Sequence, residues 1–196
     1  MQTAVLPPAL ALWRSGAERA EKAVSNSRQN AGEGALRAGR KKAGARPALL
    51  LACGNSLRQD DGVGLRIAEA AEQLFPASRL RIVAAPQFTP EMAADLAKTD
   101  LALFVDASAA DEPGAIRVRP VGPCAAPAET HGLDPPALLA LAEELSGHAP
   151  ARAFVLTIGA ADFRYGEELS GPIRQVIPRA VRLLGNLLTA FGSSGC

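Results

Sequence analysis

The chain has 196 residues, enough for one domain with a substantial core and little more. Its apolar content of 48% is ordinary for a globular protein, and no apolar run reaches membrane-spanning length. The formal net charge of +1 hides an asymmetry: residues 1–46 hold nine Lys/Arg against three Asp/Glu, a net of +6, and residues 47–196 hold twelve against seventeen, a net of −5. A mildly acidic body has no nucleic-acid footprint, so neither nucleic acid nor a membrane is expected as a partner.

In chain order, the basic leader 1–46 comes first. It is rich in Ala, Arg, Ser, Gly and Lys and lacks sustained periodicity. Its composition resembles an organellar transit peptide, but basic residues follow the short apolar run Leu6 to Trp13, the wrong order for a secretory signal. The reading preferred here is a disordered extension, or translation from an upstream start codon, ahead of an α/β domain at 47–196. Strands are expected at Ala48–Cys53, Leu80–Ala85, Leu101–Asp106, Ala115–Arg119 and Ala153–Ile158. Helices are expected at Val63–Leu74, Pro90–Ala97, Pro135–Leu145 and Gly171–Phe191. Thr89 and Asp134 precede helix-opening prolines and are candidate caps. Pro178 falls inside the last helix and should kink or restart it. Alternation of apolar strands with helices gives the fold class: α/β, one domain, a mostly parallel twisted sheet of about five strands with helices on both faces. The link before Ala115 is too short for a crossover helix, which makes that strand a candidate antiparallel one.

The three cysteines, Cys53, Cys124 and Cys196, are odd in number and scattered, which fits a reducing cytoplasm. No Cys-x-x-Cys pair suggests structural zinc.

Chemistry concentrates at strand ends. Gly54-Asn55-Ser56-Leu57-Arg58-Gln59-Asp60-Asp61-Gly62-Val63-Gly64 links the first strand to its helix, with two carboxylates fenced by glycines. Asp106 ends the third strand, and His131 lies just before a helix. In a parallel sheet the carboxyl ends share one edge, so Asp61, Asp106 and His131 can meet. Two carboxylates and an imidazole can ligate a divalent transition metal or run acid/base chemistry on water. Each also has a plain structural use: Asp61 as a helix cap, Asp106 as an acceptor in its own turn, His131 as a loop residue. His148 reads as a helix-exit residue and is left out of the site. The acidic loop is not a dinucleotide fingerprint, no nucleophile elbow is present, and Cys53 is expected to be buried and inert.

The Gly54–Gly64 segment resembles the signature of the nickel–iron hydrogenase maturation endopeptidases, a Gly-Asn-x-Leu followed by Asp-Asp or Asp-Glu, a small residue and Gly. The resemblance continues in order through Val105-Asp106-Ala107, Thr130-His131-Gly132-Leu133, Thr157-Ile158-Gly159-Ala160 and Glu167-Glu168-Leu169-Ser170, over about residues 47–191. It implies an α/β sandwich that makes one endoproteolytic cut. The cut removes a C-terminal extension from the hydrogenase large-subunit precursor after nickel insertion. The resemblance further implies that Asp61, Asp106 and His131 contact that nickel, as catalytic and metal-contacting residues at once. The metal then belongs to the substrate and is the recognition signal. The chain is expected to act as a cytoplasmic monomer. Ala85-Pro86-Gln87-Phe88-Thr89-Pro90-Glu91 replaces the family's Asp-Gly-Gly-Thr-like loop, which leaves the large subunit served open. The family lacks a leader like 1–46. A non-catalytic nickel-binding assembly chaperone would need the same three ligands. An unrelated α/β hydrolase would process a substrate without metal.

Overall fold

The computed structural model of the protein describes residues 46–124 and 133–191; His131, Cys196 and all of the basic leader except Arg46 lie outside them. Five strands form one sheet: β1 (Ala48–Cys53), β2 (Leu80–Ala85), β3 (Leu101–Ser108), β4 (Ile116–Val121) and β5 (Arg152–Gly159). Their spatial order is β2-β1-β3-β5-β4. All pairings are parallel except β4 against β5, which is antiparallel as the short link before it requires.

Among the described residues four α-helices cover the sheet: α1 (Val63–Leu74), α2 (Ala93–Leu96), α3 (Pro135–Ser146) and α4 (Gly171–Phe191). Every residue of β1 is buried, as expected for a central strand sandwiched on both faces. Its side chains alternate between two cores. Leu50 joins Leu103 and Leu156 beneath Val63 and Ile67 of α1 and Ile173, Ala180 and Leu184 of α4. Leu49 and Leu51 join Phe104 and Val155 beneath Leu96 of α2 and Leu138, Leu139 and Ala142 of α3. At about 1.5–3 kcal/mol for each fully buried large side chain, these two layers account for most of what holds the sheet to its helices.

Several expectations are corrected. The expected helix Pro90–Ala97 is a 3₁₀ turn, Pro90–Met92, running into the four-residue α2. Thr89 makes no capping hydrogen bond to the backbone there; its side chain bonds Glu91 instead. Asp134 does cap α3, accepting from the Ala137 N–H at 2.9 Å. Pro178 does not restart α4, which is one element of 21 residues, and the proline ring lies on its exposed side. Strand β3 runs two residues past Asp106, because Ala107 and Ser108 still pair with Ile158 and Gly159. Among the described residues no helix is long and apolar enough to cross a membrane.

The topology sets the site. From β1 the chain moves to β2 on one side and then returns to β3 on the other. The order therefore reverses between β1 and β3, and the crevice beyond their carboxyl ends is where open parallel sheets bind ligands.

Candidate functional site

The loop after β1 folds back on its own start, which holds Asp61 at the carboxyl end of the strand. Gly54 has a φ of 148°, and a Cβ there would stand 2.0 Å from the Asp61 carbonyl oxygen. Only glycine lets the loop fold back on its own start so closely. The Asn55 side chain accepts from the Leu57 N–H at 2.9 Å, an Asx turn, while the Asn55 N–H donates to Asp61 Oδ2 at 3.0 Å. Residues Gln59–Gly62 then form a single 3₁₀ turn that runs into α1. A Cβ on Gly64 would stand 2.1 Å from the Cys53 carbonyl oxygen and 3.2 Å from that of Val105. The start of α1 thus rests directly on the ends of β1 and β3. Asp61 is not a helix cap: Gly62 holds that position, and no side chain caps it.

Asp106 follows Val105 at the same seam. Its Oδ1 accepts from the Ala107 N–H at 2.8 Å, the turn contact open to it from sequence. Burial raises its carboxyl above the usual value, the Ala107 N–H opposes this, and the charge on Asp61 adds to the rise. Cys53, the last residue of β1, reports on the same grouping. Its thiol is pushed up to about 12, first by burial and then by the charges of Asp106 and Asp61. Both carboxylates therefore act on one buried thiol at the end of β1. The thiol is buried, as expected, and a thiol held protonated in this way is a poor nucleophile.

The two adjacent carboxylates of the loop stand in different environments. Asp60 is 0% exposed. Its Oδ2 accepts from the N–H groups of Ala161 and Asp162 at 3.2 and 3.0 Å and from Ser170 Oγ at 3.0 Å. Its Oδ1 accepts from the Ser170 N–H at 2.7 Å. Asp60 is thus the clamp that fixes the segment between β5 and α4 to the Asp61 loop. The only local hint was the Glu167–Ser170 segment of the motif, whose Leu169 is core and whose Ser170 meets Asp60.

His148 lies at the opposite, amino-terminal edge, its Nε2 3.4 Å from the Thr99 carbonyl oxygen and 3.8 Å from Asp100, which places it away from the site. Among the described residues no three His, Cys, Asp or Glu side chains form a metal-binding group. Asp61 and Asp106 supply two oxygen donors, and the third expected ligand, His131, lies outside those residues. Chemically, the pair can offer carboxylate ligands to a metal brought to the crevice, or exchange a proton with a bound water through Asp106.

No family model matches the chain, and no curated protein matches it. Solved structures do. The hydrogenase maturating endopeptidase HybD from E. coli is similar at 23% identity and a TM-score of 0.59, over 74% of this chain and 94% of that one. The nickel–iron hydrogenase maturation protease HycI from Thermococcus kodakarensis KOD1 is similar at 24% identity and 0.59, with the same coverage. A hydrogenase 2 maturation peptidase from a Thaumarchaeota archaeon is similar at 20% and 0.55, over 74% of this chain and 99% of that one. At these identities the likeness establishes the fold. The family named in these structures is also the one that the Gly54–Gly64 motif resembles.

Proposed function

We propose that this chain is an endopeptidase that removes the C-terminal extension of a nickel-loaded hydrogenase large-subunit precursor. The observation that supports this is that Asp61 follows β1 and Asp106 lies near the end of β3, the two strands flanking the switch point, near enough for the charge of Asp61 to raise the Asp106 carboxyl. Asp61 reaches it through a loop in which a Cβ on Gly54 or Gly64 would strike backbone and Asn55 bonds both Leu57 and Asp61, while Asp106 reaches it along β3. The shared fold of maturation endopeptidases supports it. In this reading the nickel is part of the substrate. Asp61, Asp106 and His131 contact it, and the remaining positions stay with the precursor's own thiolates, which are softer donors better suited to nickel. The metal thereby positions the adjacent peptide bond over the crevice, and an unloaded precursor lacks the group that the carboxylates recognise.

The test is incubation of a purified precursor, with and without nickel, with the full chain. The wild type should shorten the loaded form and leave the unloaded form intact. Asp61→Ala and Asp106→Ala should leave both intact, and His131→Ala should slow cleavage without lowering thermal stability. A loaded precursor that is bound but never shortened would replace the peptidase by an assembly chaperone.

A further inference from the structure

Among the described residues five large apolar side chains stand exposed: Leu57, Leu74, Val118, Leu145 and Tyr165. Three are scattered at helix ends and on the edge strand β4. The other two, Leu57 at 54% and Tyr165 at 91% exposure, lie far apart in sequence but stand on two loops that are hydrogen-bonded to each other beside Asp61. The Gly166 N–H donates to the Leu57 carbonyl at 3.0 Å, and the Gln59 N–H donates to the Gly166 carbonyl at 2.8 Å. Arg58 and Gly166 pair as an isolated parallel bridge. The Arg58 Nε donates to the Phe163 carbonyl at 3.3 Å.

The two loops are held firmly together. The Asp60 carboxylate ties Ala161, Asp162 and Ser170 to the loop that bears Leu57. Arg164 folds back onto Asp162, with Nε 2.9 Å from its carboxylate. Gly166, at a φ of 158°, packs so closely on Gln59 that a Cβ would come within 2.9 Å of its side chain. An ordered loop that displays a tyrosine to water gains nothing for the fold from that residue. An exposed tyrosine on a backbone held by hydrogen bonds is what protein interfaces use as an anchor, because little backbone entropy remains to be lost on binding.

We infer that Leu57, Arg58 and Tyr165 form a docking rim for the folded body of the protein substrate, distinct from the peptide that enters the crevice. The matching surface is an apolar patch beside acidic side chains, set by the cation of Arg58. The rim is continuous with the candidate site: Arg58 to Asp60 lead straight into Asp61. The inference rests on the proposed peptidase reading for the identity of its partner.

Binding of nickel-loaded precursor to the full-length Asp106→Ala protein, measured by calorimetry, separates docking from cleavage. Adding Leu57→Ala and Tyr165→Ala should weaken it about tenfold or more, as for anchor residues. Adding Leu145→Ala and Val118→Ala, truncations of exposed side chains elsewhere, should change it by less than about twofold. The mature large subunit, which lacks the extension, should lose affinity by the same factor on the rim substitutions. Unchanged affinity, or a loss seen only with the extension present, would overturn the rim as a dock for the folded body. Melting temperatures of all variants should stay together, since the truncated side chains are exposed. If the wild type binds but does not cleave, the peptidase reading fails while the binding series still decides this inference.

Discussion

Replacing Asp60 should cost more stability than replacing either carboxylate that faces the crevice. Its side chain accepts three backbone N–H groups and one hydroxyl while fully buried. Asp60→Ala strands four donors. Ala161 is exposed and Asp162 and Ser170 are half-buried, so water can reach the opened site. The loss per donor then falls at the low end of the usual range, about 1 kcal/mol each and roughly 4 kcal/mol in total. For a domain of this size that lowers Tm by about 8–16 °C. Asp60→Asn keeps one acceptor oxygen but aims an amide at other donors, so about 2 kcal/mol is expected. Thermal unfolding followed by circular dichroism gives the global number. Amide hydrogen exchange at Ala161, Asp162 and Ser170 gives the local one, and protection there should fall in both variants. A Tm within about 3 °C of wild type for Asp60→Ala, with exchange at those amides unchanged, would refute the clamp.

Three further outcomes follow from the same geometry. Gly64→Ala forces a Cβ against the Cys53 carbonyl, backbone on backbone, and should destabilise by about 3 kcal/mol in urea unfolding. Cys53, with its thiol pushed up to about 12, should resist alkylation at pH 8 in the native protein and react only on unfolding, as read by peptide mass spectrometry. Asp106 binds its proton more tightly in the fold than in the unfolded chain. Its contribution is therefore fully present below the ordinary carboxylate value and lost as pH rises through the raised folded value. Asp106→Asn should melt progressively higher relative to wild type across that window and keep the advantage above it. A variant that loses ground to wild type as pH rises would contradict the assignment.

The sequence made the architecture readable where periodicity was strong. The unbroken apolar run of β1 and the helical stripes of α1 and α4 matched their final bounds because burial on one or both faces dictates each residue. The segment after β2 was misread because a proline and a nearby threonine signal a helix start but not its length. Thr89 spends its hydroxyl on Glu91, and only four α-helical residues follow. The expectation that Asp61 and Asp106 meet rests on strand-end positions, since a parallel sheet gathers them on one edge; in the structure the charge of Asp61 reaches the Asp106 carboxyl. The separate role of Asp60 was not legible, because it depends on partners a hundred residues away whose proximity no local pattern encodes. The same holds for the pairing of the Leu57 and Tyr165 loops, which are joined through Gly166.

X-ray absorption at the nickel edge tests the convergence of Asp61 and Asp106 on the substrate's metal most directly. Nickel-loaded precursor would be mixed with the full chain and freeze-quenched before cleavage. Oxygen scatterers should join the nickel shell with the wild type and be missing with the Asp61→Ala/Asp106→Ala double variant. Identical nickel spectra for the two mixtures, with the precursor bound in both, would contradict the claim that these carboxylates meet the metal.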